Sequence, residues 1–268
     1  MATGIVGFVL ADLLDHLLDH LLDAVLPQPC LGCGAPRARL CPACLTAAAV
    51  PARRMPDPCP PGLPECWSAA PYEGPLRDAV LAHKERGEAA LAAPLADLLA
   101  FALLTALRSA QKAPERLLGV LLVPVPSRGQ AVKERGHDHV RSLAARAVHR
   151  LRACGTPATL WPALAQHRRT ADQSGLDSAG RVANLAGSFS VPDSAVRCLT
   201  GARSGRGSRP CGEMLDLARV VVVDDVVTTG ATLADAARAL REVGARAPLA
   251  VTVAATRRVS RKGHGDSQ

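Results

Sequence analysis

Aromatic side chains make up only 2% of this sequence. Phe8, Trp67, Tyr72, Phe101, Trp161 and Phe189 are the whole set. A groove for single-stranded nucleic acid stacks bases on several aromatic faces, each stack contributing about 1–3 kcal/mol, and this chain has few to supply. Lysine is as scarce, limited to Lys84, Lys112, Lys133 and Lys262, so arginine carries nearly all of the basic side of a +8 net charge. That charge permits an anionic partner, phosphate or nucleic acid, without requiring one.

Apolar runs free of charge are missing too. The opening stretch GIVGFVLADLLDHLLDHLLDAVL contains Asp12, Asp15, Asp19 and Asp23, and one aspartate at a helix centre costs about 2.5–3.5 kcal/mol in a bilayer. It also lacks the basic region of a signal peptide. The run from Leu91 to Leu107 is interrupted by Pro94 and Asp97 and reads as a core helix. These features predict no membrane insertion and a cytoplasmic location.

A chain of 268 residues can bury one larger α/β domain with a small appendage. Residues 12–26 repeat LLDH, which gives a helix with one apolar and one acidic face, expected to dock on the protein's own core. His16 and His20 have metal-ligand spacing, but no third ligand is near. Pro27 and Pro29 end that helix, and the Pro-rich residues 51–66 read as an irregular connection.

From Trp67 onward the texture changes. A short strand near 67–72 precedes helical patterns at 75–86 and 91–108, a strand at 117–126 and a helix at 138–154. A polar segment at 166–184 and a Gly/Ser/Arg loop at 199–213, read as disordered, lead to a valine strand, a helix from Gly230 and a last strand near 249–255. Strands alternating with helices predict a mostly parallel α/β sheet. The expected organisation is an N-terminal module over 1–66, a main domain over 67–256 and a loose basic tail over 257–268.

Cys30, Cys33, Cys41 and Cys44 are spaced C-x2-C-x7-C-x2-C. Each C-x2-C turn offers two thiolates to one ion, and two turns complete the tetrahedron that zinc prefers. Gly32, Gly34 and Pro42 suit such tight turns, so structural zinc is the expectation here. Cys59 and Cys66 are expected to be ordinary thiols, and Cys154, Cys198 and Cys211 are dispersed.

The most informative stretch is VVVVDDVVTTGAT, residues 220–232. Four valines read as a strand buried on both faces in the centre of a parallel sheet, where a charge has no structural use. Beyond the acids, small and hydroxylated residues open the next helix, whose free N–H groups and dipole favour an anion. Asp224 and Asp225 would repel that anion, which leaves them to hold hydroxyl groups or a metal shared with the ligand. A ribose 5-phosphate satisfies both halves.

In this order, the stretch resembles the phosphoribosyl pyrophosphate (PRPP) motif of type I phosphoribosyltransferases. Further segments resemble the ComF/GntX family: VPVPSRGQAVKERGHDHV at 123–140, RRTADQ with RVANLAGSF at 168–189, and LAHKERGE at 81–88. The resemblance implies a phosphoribosyltransferase-like domain with a cysteine-rich N-terminus, PRPP as ligand with magnesium, and a link of some relatives to DNA uptake. It places the ribose hydroxyls on Asp224 and Asp225 as catalytic groups. It places the 5-phosphate on Thr228, Thr229, Gly230, Ala231 and Thr232, counts Val226 and Val227 among the PRPP-binding residues, and puts the loop of Pro126, Ser127 and Arg128 at the pyrophosphate. Lys133 and Arg135 would close over the ligand, and Lys84, Arg168, Gln173, Arg181 and Asn184 would line the cleft.

This chain departs from the family's RGFNQ at His137, Asp138 and His139. Asp138 also suits the N-cap of the following helix, and His137 and His139 are expected to face solvent. The rival expectation is a nucleic-acid-handling module that binds single-stranded DNA and keeps the PRPP fold as a scaffold.

Overall fold

The computed structural model describes residues 28–36, 38–109, 119–127, 138–166, 187–199 and 218–256. The expected N-terminal helix, the expected loop beyond Leu199 and the expected tail lie outside them, while Leu199 itself closes a helix. The first element is the short helix α1 (Pro42–Ala48), followed by β1 (Ala52–Arg53) and β2 (Glu65–Pro71). The expected irregular connection therefore contributes β1, which pairs antiparallel with β2, and the first two residues of β2 itself. Next come α2 (Gly74–Arg86), α3 (Ala92–Ser109) and β3 (Gly119–Pro124). Beyond them lie α4 (His139–Ala153), β4 (Ala158–Leu160), the hairpin of β5 (Ala165–Gln166) and β6 (Phe189–Ser190), and α5 (Asp193–Leu199). The described chain ends with β7 (Ala218–Val227), α6 (Ala231–Glu242) and β8 (Leu249–Ala255).

The main sheet is six-stranded, in the order β1-β2-β8-β7-β3-β4, and every pairing except β1/β2 is parallel. The α/β fold class expected from the alternation is the one found. The valine strand β7 lies between β3 and β8, in register with Val222↔Ala250 and Leu122↔Val221.

A central strand must bury both faces, and the alternation shows how. Val120, Leu122, Val221 and Val223 face a core shared with α2, α3 and α4. Leu121, Val123, Val220 and Val222 face a second core with Trp161, Phe189 and Leu233, Ala236 and Leu240 of α6. The apolar helix α3 is long enough to cross a bilayer, yet Leu95, Leu98, Leu99 and Leu103 are buried in the first core, as expected of a core helix.

This layering sets where a ligand can enter. The helix after β3 lies on one face of the sheet and the helix after β7 on the other, so the loops leaving these adjacent strands diverge. Between such loops, beyond the carboxyl ends of the strands, an open α/β sheet has its crevice.

Candidate functional site

β7 does not stop at its valines but runs through both acids to Val227. Aspartate is a poor strand former, and side-chain hydrogen bonds explain how the strand survives. The Asp225 N–H donates to Asp224 Oδ1 at 2.8 Å, and the Val226 N–H donates to Asp225 Oδ1 at 2.7 Å. The alternation resets here: Val226 packs with the first core, as Val221 and Val223 do, while Val227 joins the second. Both valine side chains are thus turned into apolar clusters, and their backbone stays in the ladder with β8, where the Val227 carbonyl accepts from the Thr256 N–H at 3.0 Å.

The two carboxylates have different surroundings. Asp225 is 4% exposed, and its Oδ2 accepts from Lys84 Nζ at 2.7 Å and from His139 Nε2 at 3.1 Å. Burial alone would raise its pKa, but the His139 hydrogen bond and the Lys84 charge together hold it well below the usual carboxylate range. For Lys84, burial disfavours the ammonium, and the Asp225 charge outweighs that and raises its pKa. Asp224 is only partly buried, and desolvation followed by the Asp225 charge pushes its carboxyl well above the usual range. One acid is therefore committed to internal cations; its neighbour keeps an oxygen for a ligand.

His139 corrects an expectation. It is not solvent-facing: it is 4% exposed, its Nδ1 lies 3.0 Å from Ser127 Oγ, and the edge of its ring meets His83 with centroids 6.4 Å apart. As the first residue of α4, it is aimed back at the strand ends. Asp138 is the N-cap, accepting from the Arg141 N–H at 3.2 Å, and it also accepts from Ser127 Oγ at 3.0 Å.

The turn after β7 has the form of an anion cradle. Gly230 sits at φ 76° as the N-cap of α6, and no side chain caps that helix. Its first-turn amides are those a helix leaves without intrahelical partners, although Thr229 Oγ1 reaches the Ala231 N–H at 3.4 Å. Thr228 is exposed, Thr229 and Thr232 are half-buried, and Ala231 is buried. The facing loop carries Val125, whose N–H continues the ladder onto Val223 at 2.8 Å, then Pro126 and Ser127. Arg128, Lys133, Arg135, His137, Arg168, Gln173, Arg181 and Asn184 lie outside the described residues.

Sequence reasoning missed Asp235. Buried on α6, it accepts from the Gly187 N–H at 2.8 Å and the Phe189 N–H at 3.0 Å, and it is held by Arg238 Nε at 2.7 Å. Gly187 takes φ 82°, which explains a glycine there. This clamp fastens the end of the RVANLAGSF segment to α6. Its one legible signal was an acid on the buried face of a helix, two turns before Glu242.

The cysteine cluster is a separate centre. The four sulfurs lie within 4.8 Å of one another, and Cys33 Sγ and Cys41 Sγ are 3.6 Å apart. Zn–S bonds of about 2.3 Å in a tetrahedron set ligand sulfurs about 3.8 Å apart, so the donor set fits zinc. The Cys41 and Gly32 N–H groups donate to Cys30 Sγ at 3.3 and 3.4 Å. Led by the Cys41 amide, these contacts bring the Cys30 thiol down to about 6, whereas hydrogen bonds that the Cys44 thiol donates to Cys33 and Cys41 push it up to about 12. Arg39 fastens the module to the main domain through Glu88 at 2.7 Å. Cys66 is buried with its thiol pushed up to about 12 by desolvation, the state of an unreactive core thiol.

The family model for the phosphoribosyl transferase domain matches residues 200–267. That span includes β7, both acids, the Gly230 turn, α6 and β8. The match supports a type I phosphoribosyltransferase-like domain. No curated protein matches the chain.

Proposed function

We propose that this chain is a PRPP-binding, phosphoribosyltransferase-type protein of the ComF family, located in the cytoplasm, acting with magnesium and carrying a structural zinc. One observation bears most of the weight: a half-open acid and an uncapped, glycine-turned helix start follow one another on the central strand, at the crevice where the loops diverge. Sugar hydroxyls suit the first and a phosphate suits the second.

In this reading the amides from Thr228 to Thr232 hold the 5-phosphate, and Asp224 holds the ribose hydroxyls. Asp225 contributes by fixing Lys84 and His139 around the sugar. Ser127 meets the pyrophosphate from the facing loop. Magnesium, when bound with PRPP, neutralises charge on the leaving pyrophosphate. As the C1–O bond breaks, positive charge builds on the ribose, and Asp224, the acid left to the ligand, is placed to favour that charge. Two aromatics that a single-stranded DNA groove would need, Trp161 and Phe189, are buried in the second core, which weighs against the rival reading.

The test is calorimetric titration with PRPP and magnesium, paired with an assay for pyrophosphate release against a panel of bases, amines and oligonucleotides. Binding lost in Asp224→Ala supports the reading. A protein that takes up no PRPP overturns it.

A further inference from the structure

Resting on that reading, one further role attaches to a residue the motif does not contain. Ser127 ends the described part of the loop after β3, and Asp225 sits on β7. They lie at the carboxyl ends of two adjacent, paired strands. The His139 ring spans them, with Nδ1 3.0 Å from Ser127 Oγ and Nε2 3.1 Å from Asp225 Oδ2. Its surroundings are closed: Lys84 shares the same Asp225 oxygen at 2.7 Å, Asp138 holds the same Ser127 hydroxyl at 3.0 Å, and His83 stacks edge-on.

Proton bookkeeping makes this bridge directional. A carboxylate only accepts, so Nε2 carries a hydrogen toward Asp225. Ser127 Oγ donates to Asp138 Oδ1, and His139 Nδ1 lies against the same hydroxyl oxygen, accepting or donating according to whether that nitrogen carries a hydrogen. Any ligand oxygen that bonds Ser127 draws on the same hydroxyl, and so alters its bond to the ring and the ring's hold on Asp225. Hydrogen bonds linked in series polarise one another, most strongly where water is excluded.

We infer that His139 is a positioning residue that couples the pyrophosphate side of the crevice to the ribose side. It touches no reacting atom itself. Glutamine also has a donor and an acceptor on one planar end and can span the same gap.

The test uses ribose 5-phosphate, which occupies the ribose side and does not reach Ser127. Its dissociation constant is measured by calorimetry on the full chain, alongside PRPP with magnesium, for wild type, Ser127→Ala, His139→Ala, His139→Gln and the two double variants. Thermal melts accompany each. Ser127→Ala is expected to weaken ribose 5-phosphate about fivefold or more, the size of a modest coupling. That effect should vanish in the His139→Ala background and return in His139→Gln. Equal ribose 5-phosphate affinity in wild type and Ser127→Ala overturns the inference, while PRPP binding by the wild type keeps the proposed function standing. A loss that persists in His139→Ala, or one that His139→Gln fails to restore, also overturns it. Wild type that binds neither ligand overturns the proposed function itself, and the inference with it.

Discussion

Lys84 and Asp225 stand 141 residues apart in the chain and 2.7 Å apart in space. The pair ties the last turn of α2 to the end of the central strand, and the lysine side chain is 35% exposed while the aspartate's is 6% exposed. Such a contact determines which acid remains for a ligand.

Removing the lysine strands a buried carboxylate. Breaking a buried pair costs about 3–5 kcal/mol, and partial exposure of Lys84 lowers the expected cost of Lys84→Met to about 2 kcal/mol. The pH dependence has a definite sign. Because Asp225 titrates below its ordinary value of about 3.9, its contribution is present above that value and is lost as pH falls through the folded pKa. Urea unfolding at neutral pH and in stronger acid should show the gap between wild type and Lys84→Met closing in acid.

Asp224 behaves in the opposite way. Burial and the Asp225 charge raise its carboxyl, so the ionised form costs stability at neutral pH. That cost is relieved as pH falls through the folded pKa toward the unfolded value. Asp224→Asn is expected to raise Tm at pH 7 by about 2–4 °C, the effect of ~1 kcal/mol in a protein of this size, while weakening PRPP at least about tenfold, or ~1.4 kcal/mol. Thermal melts and titration on the same sample check both halves; a destabilised variant contradicts the argument.

Much of this was legible because it is local. The alternation through β3 and β7, the cysteine spacing and the small residues after Asp225 are all written in consecutive positions. Other features have no local signature. Asp235 and Gly187 meet across 48 positions, and His139 and Asp225 across 86, so a histidine following an N-cap reads as surface until the fold brings β7 over it. Strand β4 is three residues long and the β5/β6 hairpin joins two residues to two, too short for a periodicity to show. The strand continuing through Asp224 and Asp225 went against propensity, and their carboxylate-to-amide bonds supply the reason.

The four-cysteine cluster makes its own prediction. Metal analysis of the purified chain should find about one zinc, since four thiolates complete one tetrahedron, and Cys41→Ser should lose it. Gly32→Ala should do the same without replacing a ligand, because a Cβ there would lie 2.6 Å from Cys44 Sγ. Full zinc retention in the alanine variant would mean that the turn tolerates a shift of Cys44.

The last prediction separates backbone strain from ligand binding. Gly230 and Gly244 adopt nearly the same left-handed conformation, φ 76° and 80°, at the two ends of α6. Alanine in that region costs about 1–2 kcal/mol wherever it occurs. At Gly244 an added Cβ meets nothing within 4 Å, whereas at Gly230 it comes within 3.0 Å of Leu63 Cδ2 and Pro56 Cγ. Gly244→Ala should therefore show the backbone cost alone, with PRPP affinity unchanged. Gly230→Ala should be destabilised by somewhat more, and because the crowding displaces the turn whose amides face the phosphate, PRPP binding should fall at least about tenfold, or ~1.4 kcal/mol. Chemical denaturation and calorimetric titration of the two variants give the comparison. If both glycines behave alike toward PRPP, the 5-phosphate does not sit on the α6 start.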